Sequence, residues 1–281
     1  MLTLKAPAKI NLFLEIVGKR KDGYHNLNTL FLKIKLYDQL RFQKTDKIIK
    51  INSNHKDICL DKRNLIYKAA VLMQKTTKKK FGVDIYLDKK IPIGAGLGGG
   101  SSDAAATLIA LNKLWELKLP QKKLHEIGKK IGSDVPFFLL KENAAIGQGR
   151  GDILKPLNFK KKYWIVLVKP KIFISTKEIY QRLAPDLTKR RNDVKLLIRA
   201  WKNSDLETVG KTLFNRLETV TLKHYKQIAK VKKIISALGV RAVLMSGSGS
   251  VIFGIVQNRE EAIRIKRKLQ NRHEVMAISS L

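Results

Sequence analysis

Apolar residues near the start of the chain recur with a period of two. Ile10, Leu12 and Leu14 are each separated by one residue, and Leu30, Leu32, Ile34 and Leu36 repeat the pattern. Two strands are predicted here, joined by KRKDGYH, whose Asp22-Gly23 pair is a strong turn signal. Residues 64–79 then take helical apolar spacing, with Asn64 as a candidate N-cap. Val83, Ile85 and Leu87 alternate with Asp84, Tyr86 and Asp88, a strand that runs into a glycine-rich segment. After the glycines, SSDAAATLIALNKLW has capping residues at its start, helix-favouring alanines and a periodic apolar face. Leu119-Pro120 closes that helix, and QKKLHEIGKKIG predicts another.

PLNFKKKY precedes the apolar strand WIVLVKP, and the domain boundary is expected there, giving domains 1–157 and 158–281. The second half predicts helices near 176–183, 192–201, 205–214 and 224–237. It then reads strand (RAVLM), glycine turn (SGSGS), strand (VIFGIV), charged amphipathic helix (REEAIRIKRKLQN) and strand (EVMAI). That order is expected of an antiparallel sheet with helices on one face.

At 281 residues and 44% hydrophobic, the chain has the composition of a globular protein. No apolar run reaches the ~20 residues of a membrane span. The opening MLTLKAPAKINLFLEIV lacks the order of a signal peptide, so a cytoplasmic location is expected. The single cysteine, Cys59, can form neither an internal disulfide nor a metal cluster, and a packed or surface thiol is expected. A formal charge of +34 raises the question of nucleic acid. The basic residues are spread along the chain, however, with only short runs such as Lys78-Lys79-Lys80 and Lys160-Lys161-Lys162, and no nucleic-acid motif accompanies them. Nucleic acid is not an expected partner; the charge is read as a lysine-rich compositional bias that would also attract a polyanionic substrate.

PIGAGLGGGSSDAAA, from Pro92 to Ala106, places five glycines between a strand and a helix. Glycine lets main-chain N–H groups approach a ligand, and the helix that follows has unpaired N–H groups at the positive end of its dipole. The combination suits a di- or triphosphate. Ser101 and Ser102 either offer hydroxyls to phosphate oxygens or cap the helix. A P-loop is excluded, because Gly100 stands where its lysine belongs. Gly94, Gly96 and Gly99 match the GxGxxG spacing, but no second strand ending in an acidic residue follows, so the dinucleotide fingerprint fails on context. A purely structural glycine turn is the plain alternative.

PIGAGLGGGSSDAAA resembles the nucleotide loop of the GHMP kinase superfamily, and LMSGSGSVIFGI resembles that superfamily's third motif. APAKINLFLEIVGKRKDGYHNLNTL, GSDVPFFL at 132–139 and GQGRGD at 147–152 are similar to one branch of it, the 4-diphosphocytidyl-2-C-methyl-D-erythritol kinases of the non-mevalonate isoprenoid pathway. The resemblance covers nearly the whole chain. It implies an α+β fold of two domains, ribosomal-protein-S5-like then ferredoxin-like, with the active site in the cleft between them. It also implies phosphoryl transfer from ATP, with Mg²⁺ on the nucleotide, to the 2-hydroxyl of 4-diphosphocytidyl-2-C-methyl-D-erythritol, by a monomer or homodimer.

Carried over by position, the resemblance makes Lys9 and Asp134 the catalytic residues. Lys9 would offset charge on the transferring group, and Asp134 would accept the hydroxyl proton. ATP would be held by Pro92, Ile93, Gly94, Ala95, Gly96, Leu97, Gly98, Gly99, Gly100, Ser101 and Ser102. The substrate would meet Asn11, Tyr24, His25, Thr176 and Tyr180, with Tyr24 and Tyr180 offering flat faces to the base. Without the resemblance, Lys9 reads as a solvated edge lysine, Asp134 as a helix cap, and Tyr24-His25 as a hairpin flank. Gly247 and Gly249 are given a supporting role. Asp103 reads equally as a Mg²⁺ ligand or as a residue favouring a helix N-terminus, and no metal ligand is assigned. The sequence departs from the family pattern at Ser133 (usually alanine) and Asp152 (usually glutamate), neither a proposed catalytic position. The rival readings are a homoserine- or mevalonate-type kinase, or a basic RNA-binding protein on a kinase-like fold.

Overall fold

The structure is a computed structural model, and it describes residues 1–78, 81–183 and 194–281. The expected helix over 64–79 ends on a residue outside that range, and the first residues of the one over 192–201 also lie outside it.

The chain divides into two compact units. The first comprises residues 1–8, 36–93 and 98–141. The elements that contribute to it are β1 (Leu2–Lys19), β2 (His25–Thr45), β3 (Ile49–Ser53), α1 (Leu65–Thr77), β4 (Gly82–Asp88), α2 (Gly99–Leu114), α3 (Gln121–Ile131) and α4 (Val135–Leu139). β1 and β2 are long enough to run through both units. Within this unit β4 lies between β2, antiparallel with Leu40 opposite Leu87, and β3, parallel with Ile51 opposite Ile85. Asn64 caps α1 as expected, accepting from the Ile66 N–H at 2.9 Å. α2 packs against α1, α3 and α4. Its run of small residues, Ala104 to Ala106, lets it be buried on nearly every side.

The second unit comprises residues 9–35, 94–97 and 142–281. Its further elements are β5 (Ala144–Gly149), β6 (Ile153–Leu157), β7 (Trp164–Lys169), α5 (Thr176–Gln181), α6 (Val194–Lys202), α7 (Leu206–Thr212), β8 (Phe214–Asn215), α8 (Arg216–His224), α9 (Lys226–Ala237), β9 (Ala242–Met245), β10 (Ile252–Val256), α10 (Arg259–Leu269) and β11 (Glu274–Ser279). Here β5 pairs with both β2 and β6, and β1 pairs in parallel with β8. A separate antiparallel sheet has the order β11-β7-β10-β9, with Phe253 opposite both Leu167 and Leu244. Numbered along the chain, that order is 4-1-3-2 with helices between strands one and two and between three and four, which is the ferredoxin-like topology. Its core gathers Val166, Val168, Val231, Ile235, Ile252 and Ile265.

The period-two reading of β1 gave the right element and the wrong surroundings for its polar face. Successive side chains of a strand point to opposite faces, yet residues 8–16 are buried without a break. Lys9, Asn11 and Glu15 are therefore interior residues. α8 is a helix that apolar spacing alone did not predict, and α9 follows it after the single residue Tyr225.

Candidate active site

The buried polar face of β1 is a connected hydrogen-bond chain. The Lys9 ammonium, 4% exposed, donates to Asn11 Oδ1 at 2.7 Å. Asn11 Nδ2 donates to Thr29 Oγ1 at 2.9 Å, and that hydroxyl donates to the Phe13 carbonyl at 2.7 Å. The Asn11 N–H donates to Ser246 Oγ at 3.4 Å, and Ser246 Oγ donates to the Gly96 carbonyl at 3.0 Å. The Lys9 N–H reaches the Leu97 carbonyl at 2.9 Å. Three sequence blocks far apart in the chain (PAKIN, the glycine segment and SGSGS) are thus joined within the second unit. A solvated edge lysine does not fit this burial. Burying an ammonium group is costly unless it is hydrogen-bonded, and Asn11 supplies one such bond.

Gly96 shows why the glycine segment has its composition. Its φ is +76°, and a Cβ there would lie 2.0 Å from the Ser246 carbonyl oxygen. Only glycine meets both demands. The SGSGS turn is held from the other side by Asn215, whose Nδ2 donates to the carbonyls of Met245 and Gly247 at 2.8 and 2.7 Å. Gly247 and Gly249 have positive φ within that turn.

α2 begins at Gly99, three residues earlier than a cap at Ser101 requires. Its N-cap is Gly98, in the left-handed region and with no side-chain cap. Ser101 and Ser102 lie inside the helix, so the capping alternative for them is incorrect. Ser102 is 1% exposed, and its Oγ has no hydrogen-bond partner. The helix therefore opens with N–H groups lacking intrahelical partners, with no side chain spent on them and a buried hydroxyl nearby. That composition fits a phosphate group.

Asp134 stands at the N-cap position of α4 but makes no capping hydrogen bond. The cap reading of its carboxylate thus fails as well. α4 itself, Val135 to Leu139, is entirely buried, so Asp134 is carried at the end of a firmly packed turn.

Around the Asp22-Gly23 turn, the Arg20 N–H donates to the Tyr24 carbonyl at 2.8 Å, and the Tyr24 N–H donates to Asp22 Oδ1 at 3.1 Å. The Tyr24 ring is 56% exposed, and the Arg150 guanidinium lies 4.6 Å from its centroid. The rings of His25 and Tyr180 are 5.2 Å apart and tilted by 31°. Burial first, and then nearby Lys19, hold His25 below its ordinary value, which favours the neutral ring. Thr176 opens α5 one turn before Tyr180, and its hydroxyl lies 2.8 Å from Ser248 Oγ. Thr176 thereby joins the α5 pair to the SGSGS turn.

Asp103 has one of its two carboxyl oxygens engaged by a lysine. It lies buried in α2 and bonds Lys89 Nζ at 2.9 Å, and Lys89 also bonds Asp38. Among the described residues no group of three His, Cys, Asp or Glu side chains is placed to hold a metal ion. Reading the sequence also missed Thr29, Ser246, Asn215 and Arg150. Asn215 carried a legible signal, since it caps α8 by accepting from the Leu217 N–H at 3.0 Å, three residues before Glu218. No helix among the described residues is long and apolar enough to cross a membrane.

Comparison with known proteins agrees along the whole chain. Residues 64–142 match the GHMP kinases N terminal domain, and residues 194–275 match the GHMP kinases C terminal domain. A 4-diphosphocytidyl-2-C-methyl-D-erythritol kinase of Exiguobacterium sibiricum is 42% identical over 270 residues, covering 96% of this chain and 94% of that protein. One from Clostridioides difficile is 39% identical, covering 97% and 93%. A crystal structure of 4-(cytidine 5'-diphospho)-2C-methyl-D-erythritol kinase aligns with a TM-score of 0.86 at 33% identity, over 99% of each chain. A homoserine kinase from Cytophaga hutchinsonii aligns with a TM-score of 0.78 at 19% identity, which shows the shared fold alone. The chain belongs to the GHMP kinases, ATP-dependent enzymes that phosphorylate an alcohol, and within them to the family of the 4-diphosphocytidyl-2-C-methyl-D-erythritol kinases.

Proposed function

We propose that this chain transfers the γ-phosphoryl group of ATP to the 2-hydroxyl of 4-diphosphocytidyl-2-C-methyl-D-erythritol, a cytoplasmic step of non-mevalonate isoprenoid precursor biosynthesis. The observation that carries the reading is the buried chain from Lys9 through Asn11 and Ser246 to Gly96. It ties a charged lysine to the backbone of a glycine loop suited to phosphate. Pro92 leads into the loop, Ile93 to Ser102 cradle the nucleotide's phosphates through main-chain N–H groups, and Ser102 Oγ supplies a hydroxyl. Mg²⁺, carried by the nucleotide, neutralises phosphate charge.

In the transfer, the substrate hydroxyl oxygen forms a bond to the γ-phosphorus, the bond from that phosphorus to the ADP oxygen breaks, and the hydroxyl proton passes to the Asp134 carboxylate. Lys9 offsets the charge that develops on the transferring group. Tyr24 and Tyr180 stack on the cytosine, while neutral His25 pairs with the base edge. Asn11 and Thr176 hold their positions through Thr29 and Ser248. The domain boundary is proposed near 157, between the two family matches, and the active chain as a monomer or homodimer.

Purified protein assayed for ADP release decides the substrate. The reading expects turnover with 4-diphosphocytidyl-2-C-methyl-D-erythritol and little with homoserine or mevalonate. Preference for either alcohol overturns it.

A further inference from the structure

Three charged residues that phosphoryl transfer does not use lie buried together in the first unit. Asp38 on β2 accepts from the backbone N–H groups of Lys90 and Ile91 at 2.6 and 2.8 Å, and its Oδ2 bonds Lys89 Nζ. The same ammonium donates to Asp103 on α2 at 2.9 Å. The side chains of Lys89, Asp38 and Asp103 are 5%, 0% and 3% exposed. Burying ionisable groups is costly unless their geometry is specified, and removing Lys89 alone would leave the two carboxyl groups without their cation.

Their positions in the chain are what matter. Lys89, Lys90 and Ile91 lead into the glycine segment, and Gly99 to Asp103 lead out of it. Residues 92–98 between them carry three glycines at positive φ and few side chains able to fix their conformation. The middle of the loop is held at Gly96 and Leu97 by Ser246 and Lys9, and its two ends need holding as well, because each unfixed residue adds conformational entropy to be lost on binding. The clamp also reaches the helix start directly. A Cβ on Gly99 would lie 2.8 Å from Lys89 Nζ, so the ammonium sits beneath the first residue of α2. Burial, the largest influence on Lys89, opposes its charge, but the two carboxylates outweigh it and hold the ammonium above its ordinary value.

We propose that Lys89, Asp38 and Asp103 form a clamp that ties the strand leading into the nucleotide loop to the helix leading out of it. Lys89 and Asp103 are thereby positioning residues for ATP. The proposal rests on the reading of residues 92–102 as the nucleotide loop and not on which alcohol is phosphorylated.

Asp103→Ala cuts the clamp at α2 while leaving Lys89 paired with Asp38, so no lone charge is created. It is expected to raise the KM for ATP roughly tenfold, the scale of a small misplacement of a binding group, with the KM for the alcohol unchanged. Asp103→Asn keeps an oxygen toward Lys89 and restores ATP binding. A KM for ATP within twofold of the parent, a parallel rise for both substrates, or no rescue by asparagine overturns the clamp. If Asp103→Ala does not fold, the triple variant Lys89→Met, Asp38→Asn and Asp103→Asn, which removes all three ionisable groups together, must show the same selective rise, and its absence overturns the clamp equally. Gly100→Glu separates this proposal from the loop reading. Gly100 is exposed, and the nearest atom to an added Cβ is 3.7 Å away, so the carboxylate is tolerated but repels phosphate. Loss of ATP binding there with a normal Asp103→Ala sinks the clamp alone; normal ATP binding in Gly100→Glu sinks the loop reading and the clamp with it.

Discussion

Asp134 and Lys9 arrive at their proposed roles by different routes. Asp134 occupies a cap position and does not cap, whereas Lys9 occupies a strand interior and is buried against Asn11. Asp134→Asn keeps the shape of the side chain and removes its basicity. Turnover is expected to fall at least ~100-fold, the usual contribution of a positioned general base, while nucleotide titration still shows ATP binding. Near-normal turnover in this variant would take Asp134 out of the mechanism. Tyr24 is tested differently, because its ring is exposed and braced by Arg150. Tyr24→Ala is expected to raise the KM for the cytidyl substrate by about tenfold, within the ~1–3 kcal/mol range of aromatic–base stacking, and to leave the KM for ATP alone. Equal weakening of both substrates would count against stacking.

At the level of elements, the glycine loop and the SGSGS turn behave as one piece, joined at Gly96. Gly96→Ala would place a methyl carbon 2.0 Å from the Ser246 carbonyl oxygen in a backbone conformation that alanine disfavours. It is expected to abolish ATP binding and to lower the melting temperature. Ser246→Ala loses only the hydroxyl's bonds, worth about 1 kcal/mol each, so it should be milder on both measures; the opposite ranking in a thermal melt would show that the two turns are not coupled here. Much of this was legible in the sequence wherever the signal is local. The Asp22-Gly23 turn, the Asn64 cap, the glycine segment and the β9-turn-β10 hairpin each depend on a few adjacent residues. β1 was legible as a strand, but the burial of Lys9 and Asn11 was not, because it depends on Thr29 and Ser246, which lie 18 and 235 residues from Asn11. The Asp38–Lys89–Asp103 cluster is hidden for the same reason, and in the sequence Asp103 is indistinguishable from an ordinary first-turn acid. α8 escaped because it is short and its boundary with α9 is a single residue, so the helical period is broken before it can establish itself.

For the whole molecule, the buried charges make stability depend on pH in a way the exposed ones do not. The cluster sets two carboxylates against one ammonium, and burial, the largest influence, pushes Asp103 up to about 8 despite the pull of Lys89. The charged groups that act on Asp103 are Lys89 and Asp38. Unfolded, Asp103 has its ordinary value of 3.8, so the folded protein holds one more proton up to pH 8 and loses stability as the pH rises toward that value. The depressed histidines, His25, His125 and His273, act in the opposite sense but only below their ordinary 6.5. Between pH 6.5 and the pH at which Asp103 ionises, its effect is therefore unopposed by them, and stability falls with rising pH. Above pH 8 the sign reverses. Burial lowers Lys33 from 10.5 to about 8 against the pull of Glu142, so the unfolded chain binds the extra proton between those values and stability rises with pH. Tyr37 and Tyr163, raised by burial, end that recovery above about 10. Denaturant titrations from pH 6.5 to 10 should thus pass through a minimum near pH 8. Asp103→Asn, which cannot take up the proton, should remove the falling limb. Lys33→Met should remove the rising one. A monotonic profile in the parent, or a minimum that survives both substitutions, would show that these two buried groups do not govern the pH response of the fold.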